Sequence, residues 1–107
     1  MRRFTFQVNG QTYRRVSKHA ARQLFERRQP FQICPVNFRP GLPFAMDMTI
    51  DPLQWISEES EKHRWGWYDY PREQIVAQAF DKAVCMFEWY NCTDSETGAY
   101  SAFYVID

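Results

Sequence analysis

The dipeptide Asn9-Gly10 stands between two stretches in which apolar and polar residues alternate. Both loop residues of a type I′ turn need positive φ, which Asn and Gly tolerate, so the pair predicts a β-hairpin with a two-residue loop. In that register Phe6 faces Tyr13 and Val8 faces Gln11. One face of the hairpin is then apolar and covers a core, while the other face meets water.

The next predicted elements follow from capping residues and apolar spacing. Ser17 is a good N-cap for a helix over residues 18–28, which Pro30 ends. Its apolar stripe has helical spacing and consists of Ala20, Ala21, Leu24 and Phe25. Residues 31–36 read as a short buried strand, and residues 37–50 as a loop with an extended piece over 45–50.

Two further helices are predicted in the second half of the chain. Asp51-Pro52 starts one that should stay short, because residues 58–64 are polar on all sides. Pro71 opens the better-defined one, with an apolar stripe over residues 75–84. Residues 85–92 and 99–106 are predicted to pair as a second hairpin. The expected fold is a single α+β domain, 1–107, in the order ββαβ–loop–αββ, with antiparallel hairpins packed against two main helices.

The predicted second hairpin is apolar on both faces. Such a strand pair lies either at the centre of a covered sheet or partly at an interface. The alternative to internal packing is a homodimer or a partner site. The side chains assigned to that interface are Met86, Tyr90, Tyr100 and Tyr104.

The formal net charge of zero hides a division between the two parts of the chain. Residues 1–40 hold nine bases and one acid, a net of +8, whereas residues 41–107 hold four bases and twelve acids, a net of −8. Either the two parts pair their charges on folding, or the bases form a patch for a charged partner. Eight of the nine bases are arginine, whose planar fork suits phosphate or carboxylate. The candidate patch residues are Arg14, Arg15, Arg22, Arg27 and Arg28.

The segment from Trp65 to Tyr70 contains four aromatic residues in six positions. Aromatic side chains in a loop anchor it to its own domain, contact a protein partner, or stack on bases or sugars. All of these readings stay open, and Trp65 and Trp67 are the candidate partner-binding residues.

The sequence contains few other patterns that suggest catalysis or metal binding. The three cysteines are odd in number and lack the paired spacing of zinc ligands, so free thiols in a reducing, intracellular setting, no metal and no cofactor are expected. The sequence contains no catalytic motif, and we expect a protein that is not an enzyme. From the same sequence we expect a protein with no membrane-spanning segment and no secretory signal.

A resemblance enters at Ile33–Phe44, which contains Cys34-Pro35 and Arg39-Pro40-Gly41, and at Phe87–Cys92 with Glu96-Thr97-Gly98 after it. These segments resemble small, mostly uncharacterised proteins from phages, prophages and mobile elements of Gram-positive gut bacteria. Some proteins from that source are anti-CRISPR inhibitors of the type II nuclease. One departure concerns Val36, which stands where the family has the second cysteine of Cys-Pro-Cys, so a metal clip or redox pair built on that motif does not carry over.

The resemblance implies a non-enzymatic protein that binds and inhibits a host defence protein or nucleoprotein complex. The alternative is a phage accessory protein in which the same arginines contact nucleic acid. The charge division separates the two: an acidic part on the same small body repels a long polyanion, whereas a protein surface can match a bipolar one.

Overall fold

The computed structural model of the chain describes residues 5–64, 70–91 and 101–107. In chain order the elements are β1 (Thr5–Val8), β2 (Gln11–Val16), α1 (Lys18–Glu26), β3 (Phe31–Pro35), β4 (Met48–Ile50), α2 (Pro52–His63), α3 (Arg72–Asn91) and β5 (Ser101–Ile106). The strands form one antiparallel sheet in the order β1-β2-β5-β3-β4. The α+β class is confirmed.

The first hairpin has the predicted register. Phe6 pairs with Tyr13 and Val8 with Gln11. Asn9 and Gly10 both have positive φ, at 52° and 81°, as a type I′ turn requires. The predicted partner of Arg15 in this hairpin, Phe4, lies outside the described residues.

The caps of the first two helices are also those that the sequence predicts. The Ser17 hydroxyl accepts a hydrogen bond from the amide of Ala20 at 3.0 Å, and the Asp51 carboxylate accepts one from the amide of Leu53 at 3.1 Å. The prediction that α2 stays short is wrong, since it runs for twelve residues. The polar sequence is no obstacle, because Glu59 turns inward beside Ile56 and the other charged side chains of this helix meet water.

The sheet is covered differently on its two faces, because successive strand residues point to opposite sides. Phe31 and Ile33 of β3 and Phe103 of β5 join the core formed with the helices. Tyr13, Cys34 and Tyr104 point the other way, where the loop after β3 covers them with Ala45, Phe38 and Leu42. The loop after β3 therefore covers this second face of the sheet, in place of a layer of helices or strands.

The carboxy-terminal part of the fold differs from the prediction. Residues 85–91 continue α3 as a helix and do not form a strand. β5 lies between β2 and β3 and pairs with both. It is a central strand buried on both faces, which explains why its sequence is apolar at successive positions. Tyr104 is buried there, so its assignment to a dimer interface is wrong.

Candidate interaction surface

The last two turns of α3 carry apolar side chains on opposite sides. On the buried side the stripe continues from Ala83 and Val84 to Phe87. On the other side Met86, Trp89 and Tyr90 are exposed, Trp89 by 81% and Tyr90 by 71%. Their spacing of three and four residues puts them on one helix face. We call Met86, Trp89 and Tyr90 the α3 stripe.

Contacts on the buried side hold this end of α3 in place. Phe87 is almost completely buried in the core. Glu88 accepts a hydrogen bond from the Ser101 hydroxyl at 3.1 Å, which joins α3 to the start of β5. The side-chain amide of Asn91 donates from Nδ2 to the Phe87 carbonyl at 3.1 Å, within the last turn. The α3 stripe is thus presented on a supported helix, and a rigid aromatic surface loses little entropy on binding.

The α3 stripe follows from the sequence only if residues 85–91 are treated as a helix. The strand prediction groups residues two apart and therefore separates Trp89 from Met86 and Tyr90. The predicted strand puts Met86 and Tyr90 on the face expected at an interface, and it puts Phe87 and Trp89 together on the opposite face. In a strand, residues two apart share a face, whereas in a helix they lie about 200° apart. Extending the helical stripe of residues 75–84 by one more turn reaches Phe87 and leaves Trp89 on the outside.

The five candidate arginines do not come together on one surface. Arg14 and Arg15 are successive residues of β2 and therefore lie on opposite faces of the sheet. Arg14 pairs with Val105 on the helix-covered face, and Arg15 pairs with Tyr104 on the loop-covered face. The positions of these two residues break the continuous patch that an arrangement on one hairpin and one helix allowed.

Several of the candidate arginines make contacts within the fold. The Arg14 guanidinium lies 3.0 Å from the Asp107 carboxylate, and Arg22 lies 3.6 Å from Glu26. The Arg28 side chain donates to the Glu26 carbonyl, and its backbone φ is 60°, so it also turns the chain out of α1. These exposed ion pairs contribute little stability, but they lower the net positive charge of the surface. Trp65 and Trp67 lie outside the described residues.

A second group of polar side chains joins α2 to α3. The carboxylate of Glu59 is buried, with one oxygen 3.3 Å from His63 Nε2 and the other 3.9 Å from Lys82 Nζ. His63 Nε2 also lies 3.1 Å from Gln78 Oε1, and its ring packs on Tyr70 at 4.1 Å between centroids. Sequence reasoning treated Glu59 as part of a solvated helix face. The contacts instead show that the buried Glu59 carboxylate connects α2 to α3.

Two of the clefts on the described surface lie beside α1. The larger, of about 460 Å³, is lined by the start of α1 and the start of β5 and includes Arg15, Lys18 and Glu88. The smaller, of about 230 Å³, lies between the end of α1 and the start of α3 and includes Arg28, Arg72 and Glu73. The lining residues of both clefts mix cations with carboxylates. Ser101 and Glu88, which share the 3.1 Å hydrogen bond described above, both line the larger cleft.

The buried thiol and the buried tyrosines belong to the loop-covered face. Cys34 is fully buried, with its Sγ 3.6 Å from the Phe38 carbonyl, whereas Cys85 is exposed on α3. Burial raises the pKa of Tyr104, Arg15 acts in the opposite direction, and Cys34 adds to the rise. Burial also raises the pKa of Tyr13, with a further contribution from the Asp47 carboxylate. In both tyrosines burial favours the neutral phenol.

The described residues were also assessed as metal ligands and as membrane-spanning helices. Within residues 5–64, 70–91 and 101–107, three or more His, Cys, Asp or Glu side chains are nowhere grouped so that they could hold a metal ion. Over the same ranges, the helices lack the combination of length and apolar character that crossing a bilayer requires. Comparison of the chain with profiles of known protein families, with curated proteins and with solved structures gave no match.

Proposed function

We propose that this protein is a non-enzymatic binding protein that acts by occupying a surface of another protein. The observation that carries the proposal is the exposed α3 stripe. Trp, Tyr and Met are enriched at protein interfaces, and Trp and Tyr are the most frequent hot-spot residues. Exposing 81% of a tryptophan and 71% of a neighbouring tyrosine leaves a contiguous apolar surface that a partner can cover.

The specific form of the proposal is an inhibitor of a bacterial defence nuclease, of the kind that blocks the type II CRISPR enzyme. The support for this form is the resemblance of the Cys34–Gly41 and Phe87–Cys92 segments to small phage and mobile-element proteins. A bacterial cytoplasmic setting belongs to the same proposal. The opposite net charges of residues 1–40 and 41–107 are compatible with this form, because complementary charges add specificity and association rate on a nucleoprotein of mixed charge.

The nucleic-acid alternative has less geometric support. It needs a continuous basic surface, and Arg14 and Arg15 lie on opposite faces of the sheet. Arg14 and Arg22 are also paired with acids of the chain itself. We expect weak binding to naked duplex at physiological salt, which a titration at several salt concentrations measures. Submicromolar, strongly salt-dependent binding that is lost when the five arginines become glutamine would put this alternative first.

The testing experiment is a DNA-cleavage assay with a reconstituted type II nuclease and its guide RNA. The proposal expects inhibition at near-stoichiometric amounts of this protein. Trp89→Ala should weaken the inhibition about 30-fold, as a hot-spot loss of about 2 kcal/mol predicts. Phe44→Ala is the matched control, because it removes another exposed aromatic side chain far from α3 in the sequence. Undiminished cleavage at excess protein would refute the proposal that this protein is an inhibitor. Inhibition unaffected by Trp89→Ala would refute the proposal that the α3 stripe is the binding surface.

A homodimer is the competing use of the same surface. Light scattering at micromolar concentration distinguishes a homodimer from a monomer with a free α3 stripe, since a dimer has about twice the monomer mass of 12.9 kDa. Met86 and Tyr90 are still exposed and available to a second copy, whereas Tyr104 is not. A dimer that Trp89→Ala dissociates would make the α3 stripe a self-interface and remove the observation on which the inhibitor proposal rests.

A further inference from the structure

Three polar side chains of α2 and α3 each direct one atom toward a common point. Glu59 and His63 are four residues apart on one face of α2, and Gln78 faces them from α3. His63 Nε2 lies 3.3 Å from Glu59 Oε1 and 3.1 Å from Gln78 Oε1. We call Glu59, His63 and Gln78 the α2–α3 triad.

Hydrogen bonding alone does not fully satisfy the α2–α3 triad. A ring nitrogen of histidine carries at most one hydrogen, and an ionised carboxylate only accepts hydrogen bonds. With the Gln78 carbonyl oxygen facing His63, two acceptors share a single hydrogen on Nε2. With the Gln78 amide turned over, its N–H group needs a lone pair on Nε2 while Glu59 needs a hydrogen there. One contact is therefore incomplete in either orientation of the amide.

A bound cation removes this conflict, because each of the three atoms then supplies a lone pair. Imidazole nitrogen favours zinc, copper and nickel over magnesium and calcium. Bonds of about 2.1 Å to a first-row ion place neighbouring ligand atoms about 3 Å apart. The separations of 3.3 Å and 3.1 Å at Nε2 agree with that spacing. The set of donor atoms thus selects a divalent transition metal.

The groups around the α2–α3 triad hold its members in place. The His63 ring packs on Tyr70, and the Glu59 side chain is only 11% exposed. The second carboxylate oxygen of Glu59 lies 3.9 Å from Lys82 Nζ, an outer contact of the kind that orients a metal-binding carboxylate. The charge of Lys82 also repels a cation, so we expect a dissociation constant in the micromolar range.

We infer that the α2–α3 triad binds one divalent transition-metal ion, such as zinc, through Glu59 Oε1, His63 Nε2 and Gln78 Oε1. Water fills the remaining coordination positions, and the ion links the end of α2 to α3. The site uses no cysteine, and its third ligand is an amide oxygen. Neither cysteine spacing nor a group of three His, Cys, Asp or Glu side chains therefore reveals it. The site does not include the α3 stripe, so the inference does not depend on the proposed function.

The test is calorimetric titration of the metal-free protein with Zn²⁺, on a Cys85→Ser, Cys92→Ser background that removes competing thiols. One ion should bind, and the melting temperature should rise by about 10 °C at a hundredfold excess over the dissociation constant. His63→Gln should weaken binding at least tenfold. His19→Gln alters an exposed histidine of α1 and is the matched control, which should leave the affinity unchanged.

Further variants and one spectrum test the other parts of the site. Gln78→Ala should weaken binding, whereas Gln74→Ala, at an exposed position of the same helix, should not. Lys82→Met should tighten binding severalfold, because it removes a repelling charge. With Cu²⁺ in place of Zn²⁺, electron paramagnetic resonance should show coupling to one imidazole nitrogen, and His63→Gln should remove that coupling.

Several results would overturn the inference. No binding of Zn²⁺ at millimolar concentration would show that there is no site. Equal affinity for Mg²⁺ and Zn²⁺ would contradict a nitrogen ligand. Binding that survives His63→Gln or Gln78→Ala would place the ion elsewhere. An affinity that Lys82→Met leaves unchanged would show that the ion does not lie beside Glu59.

Discussion

Gly41 lies directly against the aromatic ring of Tyr13. A Cβ at position 41 would come within 2.9 Å of Tyr13 Cε2, and the φ of Gly41 is +82°. The same loop is tied by a hydrogen bond of 3.3 Å from the Gly41 amide to the Asp47 carboxylate. The contact joins the Arg39-Pro40-Gly41 turn to the first hairpin, and it explains why this turn needs glycine for space as well as for conformation.

Gly41→Ala should therefore destabilise the protein by about 2–3 kcal/mol, the sum of a strained φ and a steric clash. Gly10→Ala is the matched control, because Gly10 has nearly the same φ of +81° but nothing within 4 Å of its added Cβ. It should cost only about 1 kcal/mol, from the backbone alone. Urea denaturation measures both values. Equal losses would show that Tyr13 moves aside and that the close contact has no energetic role.

Two aromatic residues of α3 test the helix against the predicted strand. Phe87→Ala should cost about 3–5 kcal/mol, because it opens a cavity in the core. Trp89→Ala should change stability by less than about 0.5 kcal/mol, since the indole is mostly exposed. Thermal and urea denaturation give both values. In a strand the two side chains would share a face, so similar losses would contradict the helix.

The buried carboxylate of Glu59 should be more important for stability than its exposed neighbour. Glu59→Ala removes the contacts to His63 and Lys82, and the expected loss is about 1–3 kcal/mol. Glu58→Ala removes an exposed carboxylate of the same helix and should change stability by less than about 0.5 kcal/mol. Denaturation midpoints of the two variants, compared with the wild type, are the measurement. A larger loss for Glu58 would mean that α2 faces the other way.

Stability should fall as pH rises above the ordinary pKa of tyrosine, 10.0, because of Tyr104. Burial raises its pKa, so above pH 10 the unfolded chain loses the phenolic proton while the folded chain keeps it. The folded state then binds more protons, and the free energy of unfolding decreases with pH. The contribution is intact below the unfolded-state pKa of 10.0 and is lost as pH rises through the raised pKa of the folded state.

Urea denaturation between about pH 8 and about pH 11 measures this dependence. Tyr104→Phe should reduce the slope of stability against pH above pH 10. Tyr90→Phe, which alters an exposed tyrosine on α3, is the control and should leave the slope unchanged. If both variants retained the wild-type slope, other groups would be responsible for the alkaline loss.

The two described thiols should differ in reactivity. A maleimide reagent should label Cys85 within minutes in the folded protein, since it lies exposed on α3, while Cys34 should react only after unfolding. Labelling on a Cys92→Ser background isolates these two sites, and mass spectrometry of peptides assigns them. Labelling of Cys34 in the folded protein at the rate of Cys85 would show that the loop-covered face opens.

Local features of the fold could be predicted because they depend on interactions between neighbours in the chain. The Asn9-Gly10 turn and the hairpin register follow from backbone preferences and alternation. The caps at Ser17 and Asp51 need only a side-chain oxygen and a free amide a few residues later. None of these requires knowledge of what the rest of the chain does.

The remaining features depended on tertiary structure, because the sequence pattern allowed two answers. The run from Cys85 to Tyr90 is apolar enough for a strand or for a helix, and packing of Phe87 in the core made it a helix with Trp89 outside. β5 is apolar on both faces, and only its position between β2 and β3 shows why. Arg14 and Arg15 are neighbours in sequence, yet the pleat of β2 separates them. Contacts between distant segments decided which apolar and charged side chains stay at the surface for a partner to bind.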